Sequence, residues 1–200
     1  MLKLKKIAIT GGVASGKTSV CQFFKGLGAC VVSADAIVHE LLRSDTDLGQ
    51  QLIRQFGHDI AKNGQIDRRV LAEKAFKDPQ ALKKLESLVH PMVFRKIDEL
   101  YKIACEEDRY SSFVVEIPLL FEAGADPWYD VIVTVLSDPA KARERFTQLG
   151  FQQTEYDLRM KRQMSPETKA AKSNFTIQNN GSLVDLQDQV IRLNQIIHNP

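Results

Sequence analysis

The stretch ITGGVASGKT, residues 9–18, decides the fold of this chain. It continues a short apolar run that begins at residue 6, and it matches the pattern Gly-x-x-x-x-Gly-Lys-Thr from Gly11 to Thr18. Glycine lets a loop turn its backbone N–H groups inward, and the helix that follows such a loop presents its N-terminus to the same anion. The stretch therefore predicts a phosphate-binding loop between a buried strand and a helix.

The side chains at the end of this loop predict how a nucleotide is held. Lys17 can reach the outer phosphates, and the Thr18 hydroxyl is placed to ligate a Mg²⁺ ion that bridges them. The alternative is a glycine-rich turn that binds nothing and is followed by a surface lysine. The predicted nucleotide-binding residues of the loop are Gly11, Gly12, Val13, Ala14, Ser15, Gly16, Lys17 and Thr18.

Short apolar runs alternate with helical patterns along the rest of the chain. The runs rich in β-branched residues lie at 5–10, 29–35, 112–117, 130–136 and 175–178. Several of them are nearly continuous in apolar residues, which is typical of parallel strands that are covered on both faces. Helices are expected at 17–26, 92–106, 139–149, 154–164 and 183–197. Pro91 fits the first position of the second of these helices, with His90 near its N-cap. The alternation predicts an α/β fold of the P-loop type, with a parallel sheet of about five strands flanked by helices.

The connection between the second and third predicted strands, residues 36–111, is too long for one crossover. It carries helical patterning with helix starts at Asp67 and at Asp78-Pro79, so we expect a helical subdomain inserted after the second strand. The expected organisation is a single P-loop kinase domain, 1–200, with a core of 1–35, 107–140 and 166–200, an inserted substrate-binding subdomain at 36–106, and a lid at 141–165.

Charge is unevenly distributed in the chain. The net charge of +2 over 200 residues gives no argument for nucleic acid or membrane binding. Residues 141–172, however, hold eight basic and four acidic side chains, and the arginines of this segment are Arg143, Arg145, Arg159 and Arg162. A mobile lid could bring such arginines onto phosphates. The alternative is a solvated basic helical hairpin.

Three cysteines without a CxxC spacing favour a reducing compartment. The N-terminal residues do not match a signal peptide or a membrane span. We therefore expect a cytoplasmic protein, a monomer or weak homo-oligomer, that binds neither nucleic acid nor a membrane.

The phosphate loop by itself is compatible with several classes of protein. The NKxD and DxxG motifs of switch GTPases are missing from the sequence, and the long insertion favours a kinase that closes around a substrate. Asp35 ends the second predicted strand, where it can bind the acceptor hydroxyl or simply cap the helix that follows. Glu116 and Glu122 can approach the metal or the acceptor, or lie at the surface. A kinase for another small alcohol or nucleoside and a nucleotide-dependent switch stay open as alternatives.

Six stretches spread along the chain resemble one family, the dephospho-CoA kinases. They are TGGVASGKT (10–18), SAD (33–35), IDRRVLAEKAF (66–76), LESLVHP (85–91), IPLLFE (117–122) and NNG (179–181). The resemblance covers about residues 7–181, and the pair HP and PLLFE after a phosphate loop is much more specific than the loop alone.

The resemblance implies a reaction and a set of roles. The family transfers the γ-phosphate of ATP to the 3′-hydroxyl of the dephospho-CoA ribose, the last step of coenzyme A synthesis, which implies ATP and Mg²⁺. Asp35, Lys17 and Arg145 would act in catalysis, and Asn180 would bind the nucleotide. The implied substrate-binding residues are Asp35, Arg68, His90, Pro118, Leu119 and Glu122. The sequence departs from the family pattern at Leu149, where many members have a basic residue, and at Asn174 and Gln178, where acidic residues are common.

Overall fold

The computed structural model describes residues 3–199. Its strands are β1 (Lys6–Gly11), β2 (Cys30–Ser33), β3 (Ala61–Lys62), β4 (Gln65–Ile66), β5 (Phe113–Glu116), β6 (Val131–Leu136) and β7 (Phe175–Gln178). Its α-helices are α1 (Lys17–Gly26), α2 (Ala34–Leu41), α3 (Asp47–Phe56), α4 (Arg68–Ala75), α5 (Pro79–Glu106), α6 (Pro139–Gln148), α7 (Gln153–Lys161), α8 (Pro166–Lys172) and α9 (Leu183–His198). One-turn 3-10 helices lie at His58–Ile60 and Asp126–Trp128.

Five of the strands form one parallel sheet in the order β2-β5-β1-β6-β7. β1 is central, with β5 on one side and β6 on the other. In the register of these pairs, Ile9 lies opposite Glu116 and Gly11 lies opposite Val135. The carboxyl ends of β5, β1 and β6 therefore lie side by side where the phosphate loop leaves β1. The predicted α/β class with a five-stranded parallel sheet is confirmed.

The apolar strands are buried because helices cover the sheet. Ile7 and Ile9 of β1 and Val133 and Val135 of β6 are inaccessible to solvent. They share one cluster with apolar residues of α1 and α9. Each fully buried aliphatic side chain contributes about 1.5–3 kcal/mol relative to an exposed one, so this cluster fixes the position of β1 and of the loop that follows it.

The chain divides into two compact units. The unit that contains the parallel sheet runs up to Ser33 and resumes at Ile103, and the other unit is Ala34–Lys102. The second unit has a core of its own, made of Leu42, Leu48, Leu52, Ile53, Ile60, Ile66 and Leu71. Its short antiparallel hairpin, β3 and β4, was not predicted from the sequence. The predicted helix start at Asp67 is confirmed, since its carboxylate accepts from the backbone N–H groups of Arg69 and Val70.

Two local predictions were wrong. The second strand ends at Ser33, so that Asp35 lies in the first turn of α2 and not at a strand end. Pro91 lies inside α5, which begins at Pro79, so His90 does not precede a helix. Proline removes one backbone hydrogen bond, but neighbouring apolar residues on both sides of Pro91 pack on the core of the second unit and hold the helix together: Leu85, Leu88, Val89 and Met92.

A search of the helices within residues 3–199 finds none that is both long enough and apolar enough to cross a membrane.

Gly49 provides a test of the packing in the second unit. A Cβ at this buried position of α3 would lie 1.9 Å from the carbonyl oxygen of Arg43. We expect Gly49→Ala to lower the free energy of unfolding by about 1–3 kcal/mol, the usual effect of overpacking, as measured by urea unfolding. The matched control is Gly26→Ala in α1, where a Cβ meets nothing within 4 Å, and which should be neutral or stabilising. Equal stability of the two variants would contradict the close approach.

Candidate active site

The phosphate loop runs from Gly11, the last residue of β1, to Lys17, the first residue of α1. Its backbone enters the left-handed region at Gly11 (φ 144°), Ala14 (φ 52°) and Gly16 (φ 98°). At Gly11 the reason for glycine is steric, since a Cβ would lie 2.3 Å from the carbonyl oxygen of Val135 in the neighbouring strand. The loop therefore turns as soon as it leaves the sheet, and α1 begins directly behind it.

Lys17 is held over this loop by backbone carbonyl groups. Its Nζ donates to the oxygen of Gly12 at 2.7 Å and to that of Gly11 at 3.3 Å, and the side chain is only 8% exposed. These two carbonyl groups orient the ammonium. The arrangement places a positively charged group at the mouth of the loop, where an anion is expected.

Thr18 is paired with a carboxylate at the end of the neighbouring strand. Its Oγ1 donates to Oε1 of Glu116 at 2.9 Å. The sheet order explains this contact, because β5 lies next to β1 and ends at Glu116. A hydroxyl and a carboxylate oxygen are the ligand types that Mg²⁺ prefers. In the described part of the chain, no group of three or more His, Cys, Asp or Glu side chains is arranged for a metal.

The loop after β7 joins the phosphate loop to α6. Nδ2 of Asn179 donates to the carbonyl oxygen of Ser15 at 2.8 Å, in a buried position. Arg145 of α6 donates to the carbonyl oxygen of Asn179 at 2.9 Å and to Oγ of Ser137 at 2.8 Å. Asn180, the predicted nucleotide-binding residue, accepts from the backbone N–H of Asp138 at 2.7 Å. The prediction named Asn180 and missed Asn179, although both lie in the NNG stretch.

Two of the other arginines in residues 141–165 are engaged within that segment. Arg143 pairs with Asp157 at 2.8 Å and lies 5.4 Å from the ring centre of Tyr156. Arg159 lies 4.8 Å from the ring centre of Phe151. These contacts join α6 to α7, whereas Arg145 is tied to the loop after β7 through Asn179. That this segment moves as a lid stays a prediction.

A cavity of about 340 Å³ adjoins the phosphate loop. Gly12, Val13 and Ser15 of the loop form one wall. The rest is formed by residues of α6, α7 and α8 together with Val135, Ser137, Gln163 and Ser165. Oγ of Ser15 is buried and has no hydrogen-bond partner among residues 3–199. A buried hydroxyl without a partner is rare in native proteins, and a phosphate oxygen would satisfy it. The residues of the loop therefore fit a nucleotide phosphate.

The remaining predicted residues fall into two groups. Pro118, Leu119 and Glu122 lie after β5, in the same unit as the phosphate loop, and the carbonyl oxygen of Pro118 accepts from Thr10 of β1 at 3.2 Å. Three others belong to the unit Ala34–Lys102: Asp35 in the first turn of α2, Arg68 at the start of α4, and His90 inside α5. Their roles toward a substrate stay predictions.

A parallel sheet in this order, with a phosphate loop that runs from its central strand into a helix, defines the chain as a protein with the P-loop fold. Two solved structures share this fold: shikimate kinase from Bacteroides thetaiotaomicron (15% identity, TM-score 0.51, 97% of this chain and 98% of that one) and shikimate kinase from Acinetobacter baumannii (12%, TM-score 0.55, 97% and 93%). At such identities the likeness concerns the fold alone.

The family follows from closer matches. The family model for dephospho-CoA kinase matches residues 5–185. The dephospho-CoA kinase of Protochlamydia amoebophila (strain UWE25) is 42% identical over 197 residues, 98% of this chain and 97% of that protein. The crystal structure of TT1252 from Thermus thermophilus has a TM-score of 0.82 at 30% identity and covers 96% of this chain and 97% of that one. The structure of dephospho-CoA kinase from Campylobacter jejuni has a TM-score of 0.71 at 28% identity and covers 96% of each chain. The chain belongs to the dephospho-CoA kinase family, and the predicted family and activity are confirmed.

Asn179 carries a prediction about the phosphate loop. Removing its amide leaves the buried carbonyl oxygen of Ser15 without its donor, an effect that typically costs about 1–3 kcal/mol. We expect Asn179→Ala to raise the dissociation constant of ATP by about 5- to 100-fold, because the loop loses its support. Isothermal titration calorimetry measures this change. Gln178→Ala, at the exposed neighbouring position, is the control, and equal ATP affinity in the two variants would contradict the supporting role.

Proposed function

We propose that the chain transfers the γ-phosphoryl group of ATP to the 3′-hydroxyl of the dephospho-CoA ribose. A bond forms between the 3′-oxygen and the γ-phosphorus, the bond from that phosphorus to the β–γ bridging oxygen breaks, and ADP leaves. The observation that carries the proposal is the phosphate loop in a chain whose residues 5–185 match the dephospho-CoA kinase family.

The phosphate loop supports the nucleotide side of this reaction. The backbone N–H groups of the loop and the N-terminus of α1 attract the negative charge of the triphosphate. The Lys17 ammonium, oriented by two carbonyl groups, adds a fixed positive charge for the outer phosphates. These groups are in place before the reaction starts, so the site does not have to reorganise as charge shifts to the bridging oxygen.

Thr18 and Glu116 are the residues that we propose to hold Mg²⁺. Their hydroxyl and carboxylate oxygens lie 2.9 Å apart at the edge of the phosphate loop. Glu116 was considered from the sequence and not included among the predicted metal ligands, of which Thr18 was the only one. When bound, the ion would neutralise part of the phosphate charge. The two side chains orient each other, so the ligand geometry does not depend on a flexible loop.

Arg145 is the arginine that we propose to meet the transferring phosphoryl group. Its guanidinium carries five donors, and contacts with Ser137 and Asn179 engage two of its nitrogens on one side. The remaining donor capacity is available to phosphate oxygens. Closure of residues 141–165 over the nucleotide would exclude water from the reaction.

Asp35 is the residue that we propose to orient the acceptor hydroxyl and to accept its proton. Phosphoryl transfer passes through a loose transition state, so the proton leaves late and orientation matters more than strong basicity. The unit Ala34–Lys102, with Arg68 and His90, is proposed to hold the substrate together with Pro118, Leu119 and Glu122. The family pattern supports these assignments.

An ADP-release assay with a panel of acceptors tests the proposal. We expect turnover with dephospho-CoA that is at least about 100-fold faster than with other nucleosides and small alcohols, because a site built for one hydroxyl leaves polar groups unpaired with the wrong acceptor. Equal or faster turnover of another alcohol would support a different kinase specificity. Slow ATP hydrolysis that no acceptor accelerates would support a switch protein. Either result would overturn the proposal.

Asp35→Asn separates catalysis from helix stabilisation. Asparagine keeps the size of the side chain but cannot accept the proton, and at this first-turn position it gives up an interaction with the helix N-terminus that is worth only about 0.3–1 kcal/mol. We expect kcat to fall by about 10²- to 10⁴-fold, with the melting temperature and the ATP affinity close to those of the native protein. Turnover and differential scanning fluorimetry measure these properties.

The matched control for this variant is Asp47→Asn, which removes another first-turn carboxylate of the same unit. It loses the same favourable interaction with a helix N-terminus, worth about 0.3–1 kcal/mol, and should keep full activity. Normal turnover of the Asp35 variant would remove this residue from the mechanism.

A further inference from the structure

Lys169 is a lysine with no access to solvent. It lies in α8, and its side chain is fully buried. Its Nζ donates to the carbonyl oxygen of Pro118 at 2.5 Å and lies 3.0 Å from Oε1 of Glu122. Burial lowers the pKa of this ammonium, and the hydrogen bond and charge of Glu122 act in the opposite direction. A cation is rarely placed in such a position unless it is paired, as it is here.

The two partners of Lys169, Pro118 and Glu122, both lie in the turn 118–122 and make further contacts with other parts of the same unit. The carbonyl oxygen of Pro118 accepts from Lys169 and also from the hydroxyl of Thr10, the residue directly before Gly11. Oε1 of Glu122 accepts from the backbone N–H of Met164 at 2.7 Å, just after α7. The ammonium and the carboxylate therefore connect the end of β1, the turn 118–122 and the base of the segment 141–165.

We infer that Lys169 is a positioning residue for the acceptor: it fixes the turn 118–122, together with the base of the segment 141–165, at a set position beside the phosphate loop. The inference rests on the proposed function, in which Pro118, Leu119 and Glu122 contact the acceptor. Lys169 itself touches no reacting group. Its charge acts through Pro118 and Glu122, and a shift of this turn would weaken the contacts that hold the acceptor.

The energetics favour a role in geometry over one in stability. A buried ion pair typically contributes no more to stability than well-packed apolar residues of the same volume. The pair instead fixes the positions of the groups around it, because an ammonium has three N–H donors and each needs an acceptor at a defined angle. Two of these acceptors are the oxygens of Pro118 and Glu122, at the two ends of the turn.

Lys169→Met tests this inference, since methionine has a similar length and no charge. We expect the KM for dephospho-CoA to rise by about 10- to 100-fold, while the dissociation constant of ATP stays within about 3-fold of the native value. The reason for the difference is that the phosphate loop keeps its own supports, Asn179 and the carbonyl contacts of Lys17. Steady-state kinetics with dephospho-CoA and calorimetry with ATP give the two readouts.

Two further variants keep the test decisive. Lys25→Met removes an exposed lysine near the end of α1 and should leave both constants unchanged. Should Lys169→Met fail to fold, Lys169→Gln replaces it, because it also removes the charge but keeps a donor for the carbonyl oxygen of Pro118. In the double variant Lys169→Met/Glu122→Gln, the rise in the KM for dephospho-CoA should be smaller than the product of the rises in the two single variants, since the pair acts as one unit.

The outcomes separate positioning from other roles. A rise in the KM for dephospho-CoA with unchanged ATP affinity supports the inference. The inference is overturned if the KM for dephospho-CoA and the dissociation constant of ATP rise in parallel, or if neither of them changes. In either case Lys169 is a packing residue. Failure of the native protein to phosphorylate dephospho-CoA would instead overturn the proposed function, and that result is seen before any variant is made.

Discussion

The close approach of the phosphate loop to strand β6 is the constraint on which the site depends. Gly11 lies opposite Val135 in the parallel register, and a side chain there would meet the Val135 carbonyl oxygen. Because the chain turns at this residue, α1 begins six residues later, and Lys17 and Thr18 occupy its first turn. Thr18 then reaches Glu116, since β5 borders β1 on the side away from β6. The phosphate cradle, the lysine and the proposed Mg²⁺ ligands are thus consequences of one turn.

The cations near this turn differ in the groups that they contact. Some donate to neutral oxygens and others to a carboxylate, and this difference indicates different roles. Lys17 and Arg145 donate to carbonyl and hydroxyl oxygens, which orient their charges near the phosphate loop. Arg143 faces the carboxylate of Asp157, and a half-exposed pair of this kind contributes little to the field at a distance. A preorganised charge stabilises a transition state only if it is still available when charge develops. This distinction supports Arg145 over Arg143 as the residue that meets the phosphoryl group.

The sheet and the phosphate loop could be predicted from the sequence because their signals are local. A continuous apolar run indicates a covered parallel strand, and α1 begins and ends where the motif predicts. The errors arose where distant packing decides. Pro91 looked like a helix start, yet apolar neighbours on both sides keep α5 continuous. Asn179 has no local pattern that distinguishes it from Asn180, since its contact with Ser15 spans 164 positions in the sequence.

Lys169 shows why the surplus of positive charge in residues 141–172 does not by itself measure attraction for phosphate. Counted along the sequence, this lysine is one of eight basic groups on what looks like a solvated face. In the fold it is buried against Glu122, a residue outside the segment, so its charge is compensated by a partner that the count does not include. The short helix α8 was missed for the same reason: its inward-facing contact is made by a charged side chain and not by an apolar stripe. The basic segment therefore combines cations that face the phosphate loop with cations that hold the structure in place, and only their partners distinguish the two kinds.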